Sequence, residues 1–205
     1  MIDEQVLAAM KKWPDVPAAY GWLSLNGRGL WRFHHQGDFA ADPDGDTIEN
    51  KQLIDFFNRN YSVNDKGEWY VQNGPQKAYV TLPHAPFILF YDDARQQLIT
   101  HNGYTVSSIT HWYFSEDGRV FAKTDIGPAM LIDRDMPSFL ENALVLPAAN
   151  DCIDKAPKQF DETDFEFLVA GQSFRLSIAN QTAPCGFIEK NKAEKILGFV
   201  SQPTA

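Results

Sequence analysis

The chain has 205 residues, of which 44% are hydrophobic, 22% charged and 13% aromatic, and a formal net charge of −9. That length fits one large domain or two small ones, with a sizeable core. The acidic balance argues against a surface for nucleic-acid phosphates or anionic membrane, since both repel the chain at long range.

The N-terminal "MIDEQVLAAMKKW" is acidic, then amphipathic, and lacks the basic start and apolar run of a signal peptide. Ile2, Val6, Leu7 and Met10 recur at helical spacing, with Asp3 as a start signal and Trp13-Pro14 as the stop. No apolar stretch reaches the length of a membrane span. "WLSLNGRGLWRF" predicts two strands around Asn26-Gly27. "HHQGDFAADPDGDTIEN" is polar and punctuated, and predicts a loop. "NKQLIDFFNRNY" places Leu53, Ile54, Phe57 and Tyr61 on one face of a helix.

From Glu68 onward strands dominate. "EWYVQ" and "KAYVTL" flank Asn73-Gly74-Pro75, and "FILFY" follows. These three are expected to form one antiparallel meander, with the helix after Asn50 packed on one face. "QLITH" leads to a turn at Asn102-Gly103, and "THWYFSEDGRVFAKT" is a hairpin about Asp117-Gly118. "MLIDRDMPSFLENAL" begins as a strand and becomes a helix, with Asp135 as cap and Pro137 in the first turn. "PAANDCIDKAPKQFDETD" predicts a linker. "FEFLV", "FRLSI" and "FIEKN" predict three short strands, and "KAEKILGFV" a helical turn or an edge strand. The expected class is α+β, with antiparallel meanders and a few packed helices. The expected divisions are 1–27 (helix and connector), 28–148 (main module) and 149–205 (β-rich module or extension). At an offset of about a hundred residues, the span of a small domain, Trp69 falls on Phe167, Val80 on Ile178 and Ala85-Pro86 on Ala183-Pro184. That overlay suggests an internal repeat of two similar submodules.

"WPDVPAAYGWLSL", "NGPQKAYVTL", "HNGYTV" and "DRDMPSFL" resemble an uncharacterised, mostly proteobacterial family known only as a domain of unknown function. The order "EWYVQNGPQKAYVTL", "HAPFILFY", "LITHNGYTV" is also similar to a related family of two-module α+β proteins. The resemblance implies a bacterial protein and a signalling or ligand-sensing role. It brings no catalytic set with it.

Chemistry-bearing motifs are sparse. Asp42, Asp44 and Asp46 have the spacing of an oxygen-ligand loop, but Thr47 and Leu53 stand where a calcium loop needs Gly and Glu. His84 and His101 are the basis of an alternative reading, an enzyme site completed by a carboxylate such as Asp92 or Asp93. Cys152 and Cys185 lack metal-ligand spacing and read as reduced thiols of a cytoplasmic protein. No phosphate loop, dinucleotide fingerprint or nucleophile elbow is present, so no cofactor, metal or catalytic residue is expected. Trp69, Tyr70, Gln72, Asn73, Gln76, His101 and Asn102 gather aromatic and amide groups at two strand-ending turns. They are the expected ligand-binding residues of a non-enzymatic module. The expected partner is a small polar ligand or a protein, with no nucleic acid and no membrane. An apolar patch around Trp112 and Tyr113 would instead point to a structural partner.

Overall fold

The computed structural model describes residues 16–146 and 156–205, together with Glu4, Ala8, Lys11 and Lys12. The apolar stripe Ile2, Val6, Leu7 and Met10 lies outside the described residues, as does Cys152. The fold is α+β, and the chain divides into two compact units. Unit 1 is Met1–Pro86 with Gly198–Ala205, and unit 2 is Phe87–Leu197.

Unit 1 holds a six-stranded sheet in the order β3-β2-β1-β6-β5-β4. Its strands are β1 (Ala19–Leu25), β2 (Trp31–Phe33), β3 (Asp46–Thr47), β4 (Tyr61–Val63), β5 (Trp69–Asn73) and β6 (Gln76–Thr81). The β1–β2 hairpin forms as expected, with Leu25 opposite Trp31. The Asn26 carboxamide organises its turn by accepting from the Arg28 and Leu30 amides. β5 and β6 form a second hairpin closed at Asn73 and Gln76, with Gly74 at φ +57°.

Helix α1 (Lys51–Arg59) follows from its apolar stripe and from Asn50, whose side chain accepts the Leu53 amide at 3.1 Å. Trp31 joins the helix to the sheet. Its ring meets Phe57 at 5.4 Å and Tyr61 at 5.3 Å, and its Nε1 donates to Asn58 Oδ1 at 2.8 Å. Tyr61 in turn meets Trp69 at 4.9 Å. The C-terminal stretch returns to this unit. Phe199 is buried, Val200 N donates to Gly67 O, and Leu82 N donates to Ser201 O at 2.7 Å.

Unit 2 holds a nine-stranded sheet in the order β13-β12-β14-β15-β9-β10-β11-β7-β8. Its strands are β7 (Phe87–Asp92), β8 (Gln97–Thr100), β9 (Ile109–Ser115), β10 (Val120–Thr124), β11 (Pro128–Leu131), β12 (Leu144–Leu146), β13 (Lys158–Gln159), β14 (Phe174–Ile178) and β15 (Gln181–Ile188). Helices α2 (Met136–Asn142), α3 (Glu162–Val169) and α4 (Ala193–Leu197) complete it. Phe139 of α2 packs against Trp112 at 5.2 Å, and both are fully buried.

Several expectations change. Both sheets are mixed, because β1 pairs parallel with β6, β7 with β11 and β9 with β15. Each parallel pair joins strands distant in sequence, a choice that local alternation does not encode. β7 therefore leaves the expected meander and lies in the sheet of unit 2. The anticipated division at 27/28 cuts the β1–β2 hairpin, and that at 148/149 separates β12 from its partner β14. "FEFLV" lies in α3, not in a strand. Asp161 and Asp164 form a reciprocal capping box that starts a helix there. The overlay of two submodules fails at its anchor, since Trp69 is on a strand and Phe167 on this helix. Asp135 stands at the N-cap of α2 but makes no cap bond, because its carboxylate accepts the Tyr91 amide at 2.9 Å.

Candidate functional site

Strand alternation divides β5 between two faces. Trp69, Val71 and Asn73 point one way, Tyr70 and Gln72 the other. On the first face α1 covers part of the sheet and leaves a pocket of about 480 Å³ beside it. Its floor is Val71 of β5, Ala78 of β6, and Ala19 and Leu23 of β1. Its walls are Leu53 and Phe57 of α1, Ile48, Phe33 and Trp22. Asn73 and Gln76 supply the polar side chains at the turn end.

Trp22 reaches the pocket through an irregularity in β1. Ala19 stands opposite Ala78 and Leu23 opposite Val80, so four residues of β1 pass two of β6. Such a bulge re-aims side chains, and here Trp22 and Leu23, neighbours in sequence, line the same pocket. Two glycines hold the bulge. Gly21 has φ +76°, and a Cβ there would lie 2.2 Å from the Gly37 carbonyl oxygen. Gly37 has φ +64°, and a Cβ there would lie 2.6 Å from the Trp22 indole. The loop carrying Gly37 is fixed by His34, which is fully buried. Its Nδ1 lies 2.8 Å from Asp42 O and its Nε2 2.9 Å from Ser24 Oγ. Leu53 and Trp22, 40% and 39% exposed, form the open side.

The expected site residues separate. Asn73 and Gln76 line the pocket. Trp69 is buried beside it in the aromatic cluster with Tyr61, whose phenol burial pushes well above its ordinary pKa. Tyr70 and Gln72 are buried on the opposite face. Tyr70 packs against Tyr79 with Lys77 Nζ over its ring, and Gln72 Nε2 donates to the Gly74 and Gln76 carbonyls. They hold the hairpin together. His101 and Asn102 belong to unit 2. His101 Nδ1 accepts the Ile88 amide at 3.4 Å, and burial lowers its pKa to about 3, so the ring stays neutral. Asn102 Oδ1 accepts from Thr100 Oγ1 at 2.6 Å. His84 falls in unit 1, so the two histidines of the enzyme reading lie in different units.

Trp22, Phe33 and Leu53 were not among the expected residues. A signal for Trp22 was present in "YGWL": a glycine inside a strand pattern marks a bulge or a close backbone approach. The residues of the acidic loop make local bonds. Asp42 accepts the Gly45 amide, the Asp44 and Gly45 carbonyls accept from Arg32, and Asp46 meets His35 Nε2 at 2.6 Å. Among the described residues no group of three or more His, Cys, Asp and Glu side chains is placed to hold a metal ion. Cys185 is buried, and that burial raises its thiol pKa and keeps it protonated. Trp112 offers no exposed patch, being fully buried. No helix among the described residues is long and apolar enough to cross a membrane.

No curated protein matches the chain. It is similar to a solved structure, that of a DUF1285 family protein from Silicibacter pomeroyi DSS-3, with 12% identity, a TM-score of 0.48, and 83% of this chain and 82% of that one covered. The family described as "Protein of unknown function (DUF2946)" matches residues 2–204, nearly the full length, and the chain belongs to that family.

Proposed function

We propose that the protein is a non-enzymatic binding module whose unit 1 pocket takes a small, mainly apolar molecule. The observation that carries this reading is the pocket itself, with about 480 Å³ walled by Trp22, Phe33, Leu53 and Phe57 and amides at one end. Ligand sites are typically concave and apolar, with a few polar groups that fix orientation. The small polar ligand expected from the amide-rich turn gives way to an apolar one, because the turn contributes only Asn73 and Gln76 and the other lining residues are apolar. A sensory role belongs to the same proposal. A molecule that packs against Leu53 and Phe57 favours the position of α1 that makes those contacts over any that does not.

The test is a fluorescence titration with N-phenyl-1-naphthylamine, a neutral apolar probe that brightens out of water. Saturable binding at one probe per chain is expected. Leu53→Glu places a charge at the mouth on a side chain already 40% exposed. It should weaken binding by about tenfold or more, since the probe cannot pair that charge. Binding that is absent, or unchanged by Leu53→Glu, would contradict the proposal.

A further inference from the structure

The polar groups around the pocket say more about the ligand than its apolar walls do. Among the described residues no Asp, Glu, Lys or Arg lines it. The two cations nearest in sequence are engaged elsewhere. Arg32, beside Phe33, donates to the Asp44 and Gly45 carbonyls and to Thr47 Oγ1. Lys77, between Gln76 and Ala78, holds its ammonium 4.6 Å from the Tyr70 ring. An ionised ligand group would gain no counter-charge here for whatever hydration it gives up.

The amides define what the polar end of the ligand must offer. Gln76 Nε2 donates to the Pro17 carbonyl at 3.1 Å. That bond fixes the orientation of the carboxamide and leaves Oε1 as an acceptor and one N–H as a donor. The Asn73 carboxamide makes no side-chain bond within the described residues and offers one further acceptor and an N–H donor pair. Both residues that end the pocket thus offer an acceptor oxygen and at least one N–H donor, a pair that a group able both to donate and to accept satisfies best.

We infer that the ligand is an uncharged, mainly apolar molecule with a hydroxyl or N–H group, which donates to Gln76 Oε1 or Asn73 Oδ1 while its apolar body lies between Trp22, Leu53 and Val71. A hydroxyl fits best, since it also accepts from Asn73 Nδ2. This inference rests on the binding role proposed above.

Three probes with one ring system isolate the two claims: 1-naphthol, 1-methoxynaphthalene and 1-naphthoate at neutral pH, each read by displacement of N-phenyl-1-naphthylamine from the full chain. Naphthol should bind best. The methoxy compound keeps the ring and loses the donor, and should bind about threefold to tenfold more weakly, the worth of one hydrogen bond. Naphthoate should bind about tenfold more weakly, because its carboxylate gives up part of its hydration and meets no cation in the lining. Asn73→Leu and Gln76→Met should each narrow the gap between naphthol and its methyl ether. If either variant fails to fold, the ranking on the unsubstituted chain decides alone. Equal affinities, a preference for naphthoate, or no displacement by any of the three would overturn the inference while leaving the binding role standing. Failure of N-phenyl-1-naphthylamine itself to bind would instead remove the binding role, and this inference with it.

Discussion

Gly37 sets the pocket wall, because its missing Cβ is the space against which the Trp22 indole lies. Gly37→Ala adds a methyl 2.6 Å from that ring at a backbone φ of +64°. It should cost about 1–3 kcal/mol, the usual range for such strain, and should weaken probe binding by displacing the indole. Gly21→Ala should cost more, since its Cβ meets backbone rather than a side chain. Urea denaturation of both variants checks the order, and equal stability would contradict it. His101 carries a pH prediction. Its folded pKa of about 3 lies below the ordinary 6.5, so between those values the unfolded chain binds more protons. Stability should therefore fall as pH drops from 6.5 towards 3, by up to about 1.4 kcal/mol per pH unit from this group. His101→Asn keeps an acceptor for the Ile88 amide and cannot be protonated there. The difference between wild-type and variant denaturation midpoints should shrink or reverse as the pH falls, and a difference constant across the range would contradict the assignment.

At the scale of elements, α1 depends on its cap. Asn50→Ala should cost about 1 kcal/mol, and since α1 supplies Leu53 and Phe57, probe affinity should fall with it. Thermal melts with and without probe read both effects. Local elements were largely legible because their signals are local. The stripe of Leu53 and Phe57 gave α1, and the glycine turns at Gly74 and Gly118 gave their hairpins. α3 was misread because "FEFLV" alternates like a strand, although the acids of its capping box, Asp161 and Asp164, stand just upstream in "DETD". Asn73 and Gln76 were legible as polar groups at a strand-ending turn, and both line the pocket. His101 and Asn102 were grouped with them through a shared turn motif, and sequence alone does not say which sheet a turn serves. Trp22 as a pocket wall depends on a bulge whose register is set by β6, more than fifty residues further along.

At the scale of the whole molecule, each unit owns one sheet and one core, and unit 1 is discontinuous in sequence. No composition shift marks the return of 198–205, so its place in unit 1 was not legible. Phe199 on that segment is 5% exposed, and Phe199→Ala should cost about 3–5 kcal/mol, as for other buried phenylalanines. Hydrogen exchange should speed up in β1, β5 and β6, and unchanged exchange there would contradict the role given to this segment.

The central claim is that the unit 1 pocket is the binding site, and methyl NMR during a titration with N-phenyl-1-naphthylamine tests it most directly. The methyl signals of Leu23, Ile48, Leu53 and Val71, which line the pocket, should shift together and saturate at one probe per chain. Those of Leu98, Leu131 and Leu176, in the core of unit 2, should stay in place. Shifts concentrated in unit 2, or no saturable shift at the pocket methyls, would contradict the account.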